Sequence, residues 1–543
     1  MSRSSRRGHR KVAAVALAVS AGLFVSSCAD SGNGGGSGDA PDSGSGLSIG
    51  PVNEQSGEGD PVKGGTITFS GYSAVTNLDP AKTQIAGSVA GSELGAIYDT
   101  LLRYDPASKE FVPKLAESME PSSDFKTWTL ELRDGVKFSD GTPVDSAAVS
   151  ASLNRYVTNK GPQSSLYASK VASVDTPDPS TVVFNLVDPW TGIESLLSTG
   201  PGMIVAPSAQ QGDQFTPIGA GAFTLEKFAP NEELILDARE DYFDGAPNVD
   251  KLRLISIVGS QSTTESLKSG GTDVAYMRSL PNVLDLIDSG YPGFVDIPSL
   301  SYLSLVNTAP GRPGADVRIR QALALATDPV ALDNRLNEGK GLPGQVIFQD
   351  TSRWHNDVAP IGVDTAKAKQ LLDEAKADGY DGKITYLTLQ ENSAQAMALA
   401  LQSMANAVGF DFQIEYVNSV ADVVKRLYAD RDFDMATGSA SLAEADPFER
   451  LYSNLKSGGR NNATSFSDPE MDSLLDQLGV ATSTDSKIEV LAKIQERANE
   501  VVPWQVYGNT PWLGVWGQNV HGIQQSLDGI MFFDQAWKNY TPE

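Results

Sequence analysis

The clearest pattern of apolar and polar positions lies between Asp364 and Ala440, where helical and strand periods alternate. Ala368, Leu371, Leu372 and Ala375 recur at helical spacing, behind Asp364 or Thr365 as a cap and ahead of Gly379 as a stop. Lys383 to Leu389 is rich in β-formers and predicts a strand. Ser393 is the expected cap of a second helix, which sets Met397, Leu401, Met404 and Val408 on one face and ends at Gly409. The next strand alternates, with Phe410, Phe412, Ile414 and Tyr416 facing one way and Asp411, Gln413 and Glu415 the other. A helix from Val420 and a strand from Phe433 to Thr437 complete a βαβαβ order.

Such a unit requires right-handed crossovers and parallel strands, so the carboxyl ends of its strands share one edge. Open α/β sheets hold ligands at that edge. Here it would present Gln390, Glu391 and Asn392, then Asn418 and Ser419, then the run from Gly438 to Glu444. The helix N-terminus at Ser393 would favour a carboxylate or phosphate. The plainer alternative is that these are ordinary polar loop residues.

Upstream, the strand Thr66 to Phe69 opens a folded body after Lys63-Gly64-Gly65. From Ala29 to about Asp60 the chain is dominated by Gly, Ser, Asp and Pro and reads as a flexible tether, 28–60. Before it, Arg3, Arg6, Arg7, Arg10 and Lys11 precede an uncharged stretch from Val12 to Val25, the order of an export signal over 1–27. Val25-Ser26-Ser27-Cys28 resembles a bacterial lipobox, which makes Cys28, the single cysteine, the expected site of lipidation. A doubly acylated cysteine anchors a protein stably to a membrane surface.

At 543 residues the chain exceeds what one core organises, so more than one domain is expected. It carries 42 basic against 68 acidic residues, a formal net charge of −26. Loss of the export signal would make it more negative still. Such a field repels phosphate backbones and excludes nucleic acid as a partner, while mildly favouring a cationic ligand. Beyond the export signal the histidines are His355 and His521, far apart and without neighbours at metal-ligand spacing, so no metal or cofactor is expected. No serine sits in a GxSxG elbow, and no Cys/His nucleophile pair exists. The chain is therefore not expected to be an enzyme, with a secreted hydrolase as the weaker reading.

One stretch is more specific. Leu115-Ala116-Glu117-Ser118-Met119-Glu120, Trp128 through Phe138, and Asp140-Gly141-Thr142-Pro143-Val144 read as strands and turns leading to a helix at Ser146. They resemble the signature of the family 5 extracellular solute-binding proteins, the oligopeptide and dipeptide receptors of ABC transporters. Further landmarks follow in order: Leu78-Asp79-Pro80, Tyr98-Asp99-Thr100-Leu101, Pro217 through Phe223, Tyr242-Phe243, Leu267-Lys268-Ser269-Gly270 and Val317 through Leu323. The resemblance covers roughly residues 63 to 540.

What it implies is an α/β, two-lobed periplasmic-binding-protein-like fold of the large type II cluster with an extra domain. Lobe I would take 61–104, 216–310 and 500–543, the extra domain 105–215, and lobe II 311–499. The implied function is an extracytoplasmic lipoprotein, monomeric, on the outer face of the cytoplasmic membrane. It would deliver a peptide or peptide-like solute to ABC permease subunits by closing like a clamp. A sugar, opine, metal chelate or haem is the alternative ligand within the same family.

Peptide receptors of the family carry a Trp and an Asp after the third strand. Aligning on Asp434 and Asp446-Pro447 puts Ala440 and Ala443 there, with Glu444 one residue on as a replacement acid. The candidate solute contacts are Tyr72, Asn77, Tyr302, Asn307, Trp354, Gln390, Asn392, Ser439, Ala440, Ser441, Ala443 and Glu444. Trp504 is a further pocket aromatic. For each aromatic, core packing is the competing role.

Overall fold

The computed structural model describes residues 46–55, 59–459 and 461–539. The export signal, Cys28 and most of the tether lie outside the described residues.

The βαβαβ unit forms as its periodicity predicts. Strand Lys383–Leu389 pairs in parallel with Asp411–Val417 over its whole length and, on its other side, with Met435–Gly438. Helix Thr365–Ala377 is capped by Asp364, whose side chain accepts from Lys367 N, and it buries Ala368, Leu371, Leu372 and Ala375. Burying Leu371, Leu372 and Leu401, which are nearly sealed from solvent, contributes roughly 1.5–3 kcal/mol apiece before entropy.

Three details of this region differ from the expectation. Ser393 is not the cap: the helix runs Asn392–Val408 with Glu391 before it, and no side chain caps its first turn. Its end is as read, at Gly409 with φ of 108°, a backbone conformation that costs glycine nothing. The following helix is a short turn, Val420–Val424, that widens into a π-helical turn over Lys425–Asp430. The third strand consequently begins at Met435, and Phe433 is buried just ahead of it.

This unit belongs to a six-stranded sheet in the order Leu342–Pro343, Trp504–Asn509, Tyr302–Val306, Met435–Gly438, Lys383–Leu389, Asp411–Val417. A second, eight-stranded sheet runs Gly50–Val52, Gly293–Asp296, Trp512–Trp516, Val274–Met277, Thr66–Gly71, Lys251–Ser256, Glu233–Ala238, Phe223–Ala229. The expected hairpin around Trp128 lies in a separate four-stranded sheet, Ala116–Pro121, Thr127–Leu132, Thr181–Leu186 and Val171–Asp175. Helix Ser146–Thr158 follows it, with Asp145 accepting from Ala148 N.

Two features of the large sheets position the site. The chain passes from one to the other through 297–301 and returns through 510–511. Strand Gly50–Val52, within the stretch read as tether, adds antiparallel to the edge strand Gly293–Asp296. The side chains around it explain this order: Leu47, Ile49 and Val52 pack on a core of Val295, Leu513 and Val515, and Asn53 Nδ2 donates to Ile287 O at 2.8 Å and Tyr291 O at 3.0 Å.

Candidate functional site

A cavity of about 370 Å³ lies at the end of strand Gly293–Asp296. Its walls are Ser48–Pro51, the hairpin turn with Tyr104 and Lys109, the strand end Phe294 and Asp296, the loop with Thr351 and Arg353, Glu444 with Ala445, and the segment Gln525–Gly529.

Glu444 is held from its own loop outward. Leu300 O accepts from Ala440 N and Ser441 N, and Leu442 N donates to Ser299 O, fixing the start of the loop on the crossing segment. The Glu444 carboxylate then accepts from Ser352 Oγ at 2.6 Å and Arg353 N at 3.0 Å, while Trp354 Nε1 donates to Glu444 O at 2.8 Å. Burial pushes the Glu444 carboxyl above its usual range, although those hydrogen bonds pull it down.

Asp296 ends the strand Gly293–Asp296, opposite Trp512 on the neighbouring strand. No side chain among the described residues bonds to its carboxylate. Burial, with the charges of Glu444 and Asp528 added, raises it to about 7. Asp528 is 6% exposed and sits in the left-handed region at φ of 60°. Its Oδ2 is paired with Arg450, and its Oδ1 has no partner. Gln525 Nε2, also without a partner, lies over Gly514, where a Cβ would come within 2.3 Å of it. Three carboxylates thus face a space in which Lys109 and Arg353 supply the positive charge, and Arg353 Nη1 is tied to Lys109 O at 3.3 Å.

Of the solute contacts expected from the sequence, Glu444 lines this cavity. Ala443 packs beside it against Tyr104 and Leu527. Ala440 is buried, and Ser439 and Ser441 bond to each other. Trp354 is 1% exposed and supports Glu444 from behind. Asn307 is fully buried with its Nδ2 donating to Arg431 O and Phe433 O, a brace between segments of the fold. Tyr302 Oη contacts Met397 Sδ at 2.7 Å, and Trp504 is buried in the core. Asn77 Oδ1 accepts from Asp79 N in a local turn. Gln390 and Asn392 are exposed at the sheet edge, outside the cavity lining. Tyr72 is half exposed, at the end of strand Thr66–Gly71.

Sequence reasoning did not single out Tyr104, Lys109, Asp296, Arg353, Gln525 or Asp528. One signal was available: Gly293-Phe294-Val295-Asp296 alternates like a strand and ends on an acid. The others meet only through contacts between segments hundreds of residues apart.

Among the described residues, no group of three His, Cys, Asp or Glu side chains is placed to hold a metal ion, and no helix is long and apolar enough to cross a membrane.

The probable D,D-dipeptide-binding periplasmic protein DdpA of Escherichia coli (strain K12) is 26% identical over 398 residues, covering 70% of this chain and 76% of its own. The oligopeptide-binding protein AppA from Bacillus subtilis, solved with a nonapeptide, superposes with a TM-score of 0.75 at 20% identity, over 89% of this chain and 100% of that one. NikA from Brucella suis, solved with Fe(III)-EDTA, gives 0.73 at 22% identity over 88% and 100%. These two likenesses establish the two-lobed fold. Residues 110–462 match the sequence profile of the bacterial extracellular solute-binding proteins, family 5. With most of the chain matched, the protein belongs to the family 5 bacterial extracellular solute-binding proteins, which hold a solute and do not transform it.

Proposed function

We propose that this chain is the extracytoplasmic receptor of an ABC importer, and that it captures a short peptide-like solute carrying a positively charged group. The observation that carries the ligand class is the trio Asp296, Glu444 and Asp528 around one cavity. A half-buried carboxylate without a cationic partner, such as Asp296, is costly, and a solute amine would relieve that cost. Asp296 and Glu444 then do the work of the acid that Ala443 replaces. The D,D-dipeptide in the name of the Escherichia coli relative and the nonapeptide bound to AppA support the peptide-like class.

Crossings of the chain at 297–301 and 510–511 and a cavity with walls from both sides support closure of the two lobes on the solute. A ligand shifts that equilibrium to the extent that it prefers the closed form. Cys28 anchors the receptor through lipid, and the tether lets the monomer reach the permease.

Small-angle scattering with and without a pool of synthetic di- and tripeptides tests this reading. A smaller radius of gyration together with a raised melting temperature is expected. No change in either, with a response instead to metal chelates or sugars, would replace the peptide class by the alternative.

A further inference from the structure

The stretch whose composition reads as tether supplies part of the solute cavity. Ser48, Ile49, Gly50 and Pro51 all line it. The chain is held in place around them. Leu47, Ile49 and Val52 pack on the core of Val295, Leu513 and Val515. Just downstream, Asn53 Nδ2 donates to Ile287 O and Tyr291 O. Gln55 Nε2 donates to Gln518 O at 2.9 Å and to Val520 O at 3.1 Å, while its Oε1 accepts from Trp516 Nε1 at 3.3 Å. Ordering a Gly- and Pro-containing segment costs backbone entropy, which these contacts to segments 234 to 465 residues along the chain must offset.

One use of such a strand is to cover the edge of a sheet, and Pro51, which has no N–H, suits the last strand in the order. Edge cover needs only the pairs Gly50 with Val295, Pro51 with Phe294 and Val52 with Gly293. The cavity takes more than that. Ser48 and Ile49 precede the paired residues and still line it, and the register continued by one residue sets Ile49 beside Asp296. Trp512 is the partner of Asp296 on the other side, so the tether end of the chain covers the flank of this acid that the rest of the sheet leaves open. None of the four lining residues is charged, and they contribute shape where Asp296, Glu444, Asp528, Lys109 and Arg353 contribute charge. The cavity, about 370 Å³, lies near the lower end of the roughly 300–1,000 Å³ usual for ligand sites.

We infer that Ser48–Pro51 is the length-limiting wall of the solute site: held as an edge strand, it closes the cavity beside Asp296 and restricts the receptor to short solutes. This rests on the peptide reading above and adds what sets the upper size.

The test is capture by the full chain from an equimolar pool of peptides of two to nine residues, with the retained peptides quantified by mass spectrometry. Wild-type protein should retain di- and tripeptides over peptides of five or more residues by about tenfold. Ser48 and Glu54 are both exposed, and Glu54 lies outside the lining. Ser48→Trp should therefore fold and lower di- and tripeptide retention by about tenfold through occupying the cavity, whereas Glu54→Trp should behave as wild type. Val52→Asp with Asn53→Ala and Gln55→Ala releases the strand without altering a lining residue, and should bring short and long peptides within about twofold. Melting temperatures check folding, and the Ser48→Trp comparison decides alone if the released variant is unstable. If the wild type retains peptides of every length alike, if Ser48→Trp retains them as wild type does, or if the folded released variant keeps the preference, the wall is refuted and the receptor reading stands. If the wild type retains no peptide of any length, both fall.

Discussion

Thr510 donates its backbone N–H to Ser301 Oγ at 2.7 Å, joining the two segments by which the chain passes between its large sheets. Ser301 is buried, so Ser301→Ala would leave the Thr510 donor without this acceptor. A loss of about 1–3 kcal/mol in unfolding free energy is expected, measured by urea denaturation. A cost near zero would show that the two crossings are held elsewhere.

Asp296 should make solute binding depend on pH. Its carboxyl is raised to about 7 by burial and by Glu444 and Asp528. A cationic solute needs it ionised, so affinity should decline as pH falls through that value. In Asp296→Asn the affinity should be lower by about tenfold at neutral pH and the slope around 7 should flatten. Titration calorimetry across that range reads both.

Glu93 offers a stability test away from the cavity lining. It is 2% exposed, its Oε2 has no partner, and burial raises its carboxyl to about 7 from an ordinary 4.5. Between those values the folded protein holds a proton that the unfolded chain has released, so stability falls as pH rises through the window and the penalty is complete above it. Glu93→Gln should therefore be more stable than wild type at about pH 8, by on the order of 1–3 kcal/mol, and indistinguishable near pH 4. Paired denaturation curves at the two pH values measure the difference.

A buried ion network holds the segment 99–114 to the chain's last strands. Arg103 binds Asp99 at 2.9 Å and Asp534 at 3.0 Å and lies over the Phe532 ring at 3.7 Å, and Lys114 reaches Asp534 at 3.0 Å. Against the penalty of burial, Arg103 and Lys114 hold Asp534 below the usual carboxylate range. Arg103→Met would leave the buried Asp99 without its cationic partner and Asp534 with Lys114 alone, and a loss of about 3–5 kcal/mol is expected from calorimetric or urea unfolding.

The parts legible in the sequence were those where local pattern and burial coincide. Leu371 and Leu372 sit on the buried face that their spacing implies, and Gly409 ends its helix because only a left-handed residue completes the turn. Ser393 failed as a cap because Asn392 already belongs to the helix, so the serine falls inside the first turn. The strand at Gly50–Val52 was hidden by its glycines and prolines. What orders it is an edge strand some 240 residues away, which no local window contains. The site was least legible for the same reason. Glu444 was found through the third strand of the unit, but Asp296, Arg353 and Asp528 become neighbours only when two sheets meet, and Asn307, polar and well placed in the chain, is consumed in bracing the backbone.

The most direct test of the account is native mass spectrometry of the folded chain incubated with a di- and tripeptide pool, compared with an Asp296→Asn, Glu444→Gln double variant. The account predicts one peptide adduct per chain on the wild type and its loss, at unchanged secondary structure, in the variant. Adducts of equal abundance on both proteins, or none on the wild type, would contradict it.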